Sequence, residues 1–151
     1  MKKTICLVGI GLLLVSMMLV SCAPGQKTLI TKNNVATLRG TYEGWTTFSS
    51  FPGKPVLTNM EINNDTVPLM GKIILNNLPQ PIANIFPGTV LSASNNVTMD
   101  FANGEISDQG TLINHGGKNF LELTLYTGEK MKINGWFYYY GAKGTMELTK
   151  K

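Results

Sequence analysis

Cys22 carries the most reactive side chain of the sequence. It follows a 17-residue apolar run, residues 5–21, whose only hydroxyl residues are two serines and which begins after Lys2 and Lys3. A basic start, an apolar segment and a small residue at the end are typical of an export signal. Because 17 residues are also the lower limit for a membrane-spanning helix, the run alone fits either a cleaved signal or an uncleaved anchor. A thiol at its end is a strong nucleophile for alkylation.

The four residues that end the run favour the cleaved signal. The sequence LVSC at residues 19–22 resembles the lipobox of bacterial lipoproteins, and this resemblance covers only the first 22 residues. It implies that residues 1–21 are removed as a signal peptide and that lipid is attached to Cys22, so that acyl chains such as palmitate hold the mature chain in the cell envelope. In related Gram-negative lipoproteins an aspartate after the cysteine specifies inner-membrane retention. Ala23 stands there, so the resemblance implies an outer-membrane location in such an organism.

The cysteine count and the net charge agree with an exported, lipid-anchored chain. Cys6 lies in the predicted signal, so Cys22 is the only cysteine of the mature chain, and lipidation removes a lone thiol from an oxidising compartment. Loss of Lys2 and Lys3 reduces 13 basic residues to 11, against 9 acidic residues, and the net charge falls from +4 to +2. No basic stripe remains, so we expect no nucleic-acid partner.

The remaining reactive residues do not form the pattern of an enzyme. His115 is the only histidine, so a zinc site with several histidines is excluded, and a catalytic triad would lack its Gly-x-Ser-x-Gly turn. Glu105, Asp108 and His115 fall within eleven residues, but they span a strand and a turn, and such a trio is common by chance. Residues 63–66 offer oxygen ligands but lack the spacing and the distal glutamate of a known calcium loop. We therefore expect no enzymatic activity, no metal and no cofactor. A carboxylate pair for sugar hydrolysis stays open among three strand glutamates: Glu43, Glu61 and Glu122.

Beyond residue 39 the sequence has the pattern of an all-β domain. Apolar residues recur with period two in short runs between turn residues, and we find no amphipathic helix of ten or more residues. Residues 39–151 are therefore predicted to form an antiparallel meander of about eight or nine strands. Because open apolar edges aggregate, the meander should close into a small barrel or a bent sandwich. Residues 22–38 have no sustained period and are predicted to form a flexible tether.

Two local patterns refine this prediction. In residues 41–49 the alternation places Tyr42 and Phe48 on one face and Trp45 on the other, with Gly44 at a bend or a close backbone approach. Asn103-Gly104 has the composition of a tight turn.

The layout of the mature domain weakly resembles small lipocalin-like (calycin) barrels. The resemblance rests on the early Gly44-Trp45 strand, the meander and the closing strand. The chain departs from true lipocalins because its glycine and tryptophan are contiguous and because one cysteine allows no disulfide. The likeness therefore concerns the fold and does not carry function.

Five consecutive aromatic residues on one predicted strand form the first candidate binding surface. Period two sends Trp136, Tyr138 and Tyr140 to one face and Phe137 and Tyr139 to the other. One set can fill the core while the other forms an exposed platform for a ligand or a partner. Packing of both sets against neighbouring strands is the simpler interpretation.

The long connection at residues 76–88 is the second candidate. It contains three prolines and several apolar residues, and one helical turn would place Ile82, Ile85 and Phe86 on a single face. Such a turn either plugs one end of the barrel or lies as a lid over a ligand mouth.

The whole pattern predicts a membrane-anchored envelope lipoprotein that binds a small apolar or amphipathic ligand in a β-barrel. Five methionines would suit an adaptable lining, although methionines also fill ordinary cores: Met60, Met70, Met99, Met131 and Met146. The alternative is a structural or protein-interaction module of the envelope that uses the face of Trp136, Tyr138 and Tyr140.

Overall fold

The computed structural model describes residues 30–84, 86, 95–116, 119–127 and 130–151. Eight strands pair antiparallel in sequence order, and the last pairs with the first, so the sheet is a closed up-and-down barrel. The predicted all-β class and the closure of the meander are confirmed. The strands are β1 (Gly40–Phe48), β2 (Phe51–Ile62), β3 (Leu69–Leu75), β4 (Val97–Ile106), β5 (Thr111–Gly116), β6 (Asn119–Tyr126), β7 (Lys132–Tyr139) and β8 (Ala142–Lys150).

The core lies inside the barrel because each strand turns every second side chain inward. In β1, Tyr42 and Phe48 are buried while Trp45 is 55% exposed on the outer surface, as the alternation predicted. In β6, Leu121, Leu123 and Leu125 are buried in the same way. A single apolar cluster therefore joins all eight strands.

Inward-facing glycines allow the strands to approach closely. A Cβ atom at Gly44 would collide with the backbone carbonyl oxygen of Glu147 on β8, which confirms the predicted close approach. A Cβ atom at Gly144 would lie 2.7 Å from the ring of Phe137. Glycine positions of this kind let a sheet bend sharply enough to close into a barrel.

Strand β4 differs from its prediction. It runs without a break from Val97 to Ile106, so the turn predicted at Asn103-Gly104 is wrong. The register against β3 shifts between Leu69 and Gly71, opposite this stretch. The glycine therefore accommodates an irregularity within a strand, where an extra residue bends the chain without reversing it.

Residues 30–38 cover the end of the barrel at which β1 begins. A short 3₁₀ helix, Val35–Leu38, packs with Ile30 against the core. The buried hydroxyl of Tyr42 donates a hydrogen bond of 2.6 Å to the carbonyl oxygen of Leu38. These residues, placed in the tether by the sequence pattern, therefore belong to the barrel. The predicted signal peptide, Cys22 and the rest of the tether lie outside the described residues.

Candidate ligand-binding site

The wall of the barrel is open between β4 and β5. These strands share only two residue pairs, Glu105 with Ile113 and Ile106 with Leu112, whereas every other pair of neighbouring strands shares at least five. In the open part, the backbone amide of Asn103 donates to the side-chain oxygen of Asn114 at 3.2 Å. The first half of β4 and the second half of β5 therefore bound a split in the side of the barrel.

A cavity of about 230 Å³ lies at this split. Its floor consists of apolar side chains that are each at most 6% exposed, and they come from β3, β4, β6 and β7. An apolar cavity of roughly 150 Å³ is already large enough to hold benzene. The site can therefore accommodate a small molecule or one apolar arm of a larger one. The floor residues are Ile73, Met99, Phe101, Leu121 and Phe137.

The mouth of the cavity is polar and aromatic. Asp100, Asn114 and Asn119 line it together with the rings of Tyr138 and Tyr139. The side-chain oxygen of Asn119 accepts a hydrogen bond of 3.0 Å from the backbone amide of Tyr140, which fixes the rim. An apolar floor below a polar rim suits an amphipathic ligand.

The Tyr139 hydroxyl and the Asp100 carboxylate lie close enough to influence each other. Burial raises the pKa of the Tyr139 hydroxyl, and the neighbouring Tyr140 and the Asp100 carboxylate raise that pKa further. The phenol therefore stays protonated and can donate a hydrogen bond at the mouth.

The predicted aromatic platform is divided in the structure. Trp136 and Tyr138 share the outer face of β7, but both pack on Phe120, with ring centroids 4.4 Å and 5.6 Å away. Strand β7 ends at Tyr139, so Tyr140 lies in the following turn with φ of 47° and is 52% exposed. Of the three predicted residues, only Tyr138 lines the cavity.

The predicted helical turn is present as α1 (Gln80–Ala83) and plugs the other end of the barrel. Ile82 and Phe86 are buried in the core cluster. The ring of Phe86 contacts Phe48 and Tyr139, with centroids 6.1 Å and 5.9 Å apart. Neither Ile82 nor Phe86 lines the cavity, and Ile85 lies outside the described residues. These contacts are those of a plug.

The candidate metal ligands do not gather in the described part of the chain. There, no three side chains of the His, Cys, Asp or Glu type lie close enough to hold an ion. Asn64 uses its amide to hold its own turn, since its oxygen accepts from the backbone amide of Met70 at 2.8 Å and its nitrogen donates to the carbonyl oxygens of Thr66 and Pro68. The side chain of His115 is outside the described set.

Sequence reasoning missed the polar residues of the mouth. Asn114 and Asn119 follow the same alternation as the buried Leu112 and Leu121, so their polarity at inward positions was the available signal. Of the five candidate methionines, Met99 alone lines the cavity.

The fold defines the class of this protein as a closed, eight-stranded antiparallel β-barrel with covered ends and a side cavity. Comparison of the chain with protein-family models, curated proteins and solved structures gave no match. Among the described residues, no helix is long and apolar enough to cross a bilayer.

Proposed function

We propose that this protein is a lipid-anchored lipoprotein of the cell envelope that binds a small apolar or amphipathic ligand in the side cavity of its barrel and performs no catalysis. The observation that carries the binding function is the 230 Å³ cavity with its apolar floor and polar mouth. The other inward side chains are buried in one apolar cluster, so the cavity is a local opening beside the core. The support for the anchor is the lipobox-like sequence that ends at Cys22.

Filling the cavity should weaken ligand binding at least tenfold without unfolding the barrel. Met99→Trp replaces a floor side chain by a larger aromatic one, which can extend into the cavity. We therefore expect the free energy of unfolding to change by less than about 1.5 kcal/mol. Binding of indole, used as a small apolar probe and followed by ligand-detected NMR, should fall at least tenfold.

Met60→Trp is the matched control, because Met60 is fully buried on β2 and does not line the cavity. Overpacking at that position should reduce the stability by about 1–3 kcal/mol. An equally large loss in Met99→Trp would show that the site is an ordinary packed core and would contradict the proposed function.

The anchor requires the thiol of Cys22. In cells fed an alkyne analogue of palmitate, the wild-type chain should be labelled and Cys22→Ala should not be, because the thioether cannot form. Cys6→Ala, which changes the other cysteine of the chain, should not prevent labelling. Persistent labelling of Cys22→Ala would exclude lipidation at this residue.

The anchor would hold the barrel near the bilayer by the end that carries the 3₁₀ helix. Eight residue steps separate Cys22 from the buried Ile30, and such a segment spans at most about 28 Å. The split between β4 and β5 opens toward the opposite end, at the first half of β4. The ligand would therefore enter from the side away from the lipid.

The alternative function, an interaction module that uses the outer aromatic face, has less support. Packing on Phe120 leaves Trp136 and Tyr138 only partly exposed. The ammonium group of Lys143 also lies 5.3 Å from the ring centroid of Trp136 and covers part of it. Tyr140 is exposed but lies outside the row of the other two rings.

A further inference from the structure

We propose that the cavity is selective for an organic cation, with an alkylammonium or quaternary ammonium group held at the mouth and its apolar substituents directed into the floor. This inference rests on the proposed function and specifies the chemical class of the ligand. It depends on three features of the mouth: its rings, its carboxylate and the placement of the nearby lysine.

Aromatic residues make up a large part of the lining. Five of the twelve lining residues are aromatic, and they come from three strands: Phe101, Phe120, Phe137, Tyr138 and Tyr139. The faces of aromatic rings attract cations, and several rings around one site form the cage that recognises quaternary ammonium groups in proteins. A purely apolar ligand would be served as well by aliphatic side chains, so the aromatic bias favours a cation.

The mouth also carries one negative charge. Asp100 is the only ionisable carboxylate among the lining residues, and within the described chain it forms no ion pair. Lys72 lies directly across from it on β3, but the Lys72 ammonium is 2.9 Å from the Glu61 carboxylate instead. The negative charge of Asp100 is therefore left to attract a cation from solution.

The Asp100 carboxylate and the aromatic rings act on the same space. Asp100 is exposed on the outer side of β4, and it lines the cavity together with Tyr139, whose hydroxyl pKa its carboxylate helps to raise. No lysine or arginine is present among the described lining residues. A positive group at the mouth would thus meet aromatic residues and a carboxylate, while Lys72, the lysine across from Asp100, is paired with Glu61.

The test compares choline with 3,3-dimethylbutan-1-ol, its uncharged carbon isostere, on the mature lipidated chain in nanodiscs of phosphatidylglycerol. We expect choline to bind at least tenfold more tightly in titrations followed by NMR, because only choline gains the ring and carboxylate attraction. Asp100→Asn and Tyr138→Leu should each weaken choline binding about fivefold and leave the isostere unchanged. Asp65→Asn, an exposed carboxylate at the other end of the barrel, should affect neither ligand.

Three results would overturn the inference in different ways. If the isostere binds as tightly as choline, cation selectivity is wrong, while the proposed function of binding small apolar ligands stands. If neither compound binds at millimolar concentration although indole does, the mouth does not recognise this head group. If indole also fails to bind, the proposed function itself fails.

A quaternary ammonium group can belong to a free metabolite or to a lipid head group. Dihexanoylphosphatidylcholine, added below its micelle concentration, presents the head group with its phosphate. Displacement of choline by this lipid would identify the head group as the source, whereas tight choline binding without displacement would identify a free amine.

Discussion

Gly44→Ala should destabilise the barrel by about 3 kcal/mol or more, because the added methyl group would occupy the position of the Glu147 carbonyl oxygen. A backbone atom cannot rotate away as a side chain does. The pairing of Gly44 with Leu148 must therefore open, and this pair belongs to the β1–β8 seam that closes the barrel. In a domain of this size we expect the melting temperature, measured by far-UV circular dichroism, to fall by about 10 °C.

Gly53→Ala is the matched control for this prediction. Gly53 also lies in a strand, β2, but a Cβ atom there would meet nothing within 4 Å. Its substitution should change the stability by less than about 1 kcal/mol, since only the backbone propensity changes. Equal melting temperatures for the two variants would mean that β1 and β8 are not held in this register.

Phe48→Ala should lower the free energy of unfolding by about 3–5 kcal/mol through lost burial and the cavity left behind. Phe48 is fully buried, and its ring makes edge-to-face contacts with Phe137 and Phe86, with centroids 5.6 Å and 6.1 Å away. The substitution therefore removes the support of the plug as well as part of the core. Chemical denaturation in urea, followed by tryptophan fluorescence, measures the loss.

Phe51→Ala provides the comparison within the same hairpin. Phe51 pairs with Phe48 across β1 and β2 but is only partly buried. Its removal should cost about 1 kcal/mol, in proportion to the smaller apolar area that it buries. A loss as large as that of Phe48→Ala would contradict the assignment of Phe48 to the centre of the core.

The sequence predicted those features that depend on neighbours along one strand. The alternation of β1 correctly separated Tyr42 and Phe48 from Trp45, because the period of two is a property of the extended backbone itself. Gly44 was recognisable for a similar reason, since a glycine within a strand pattern indicates a close approach or a bend.

Features that depend on how neighbouring strands lie relative to each other could not be predicted from the sequence. The two strands β4 and β5 diverge beyond the pair of Glu105 with Ile113, toward the start of β4 and the end of β5, and no local pattern encodes this separation. The sequence did not identify Asp100 as a site residue, because an outward aspartate is ordinary in an alternating strand. It becomes a candidate only where β5 has separated from β4 and a cavity opens beside it. The turn predicted at Asn103-Gly104 was wrong because an Asn-Gly pair is common both in turns and at strand irregularities.

The pairing of β1 with β8 also determines when the protein can finish folding. Tyr42 pairs with Lys150, so closure joins residues more than 100 positions apart, and contacts of such long sequence separation form slowly. Strand β8 is the last of the eight strands of the barrel. One edge of β1 therefore stays unpaired until β8 is available. Because synthesis proceeds from the N-terminus, the barrel cannot close until the whole of β8 has been synthesised, however early the first seven strands are available.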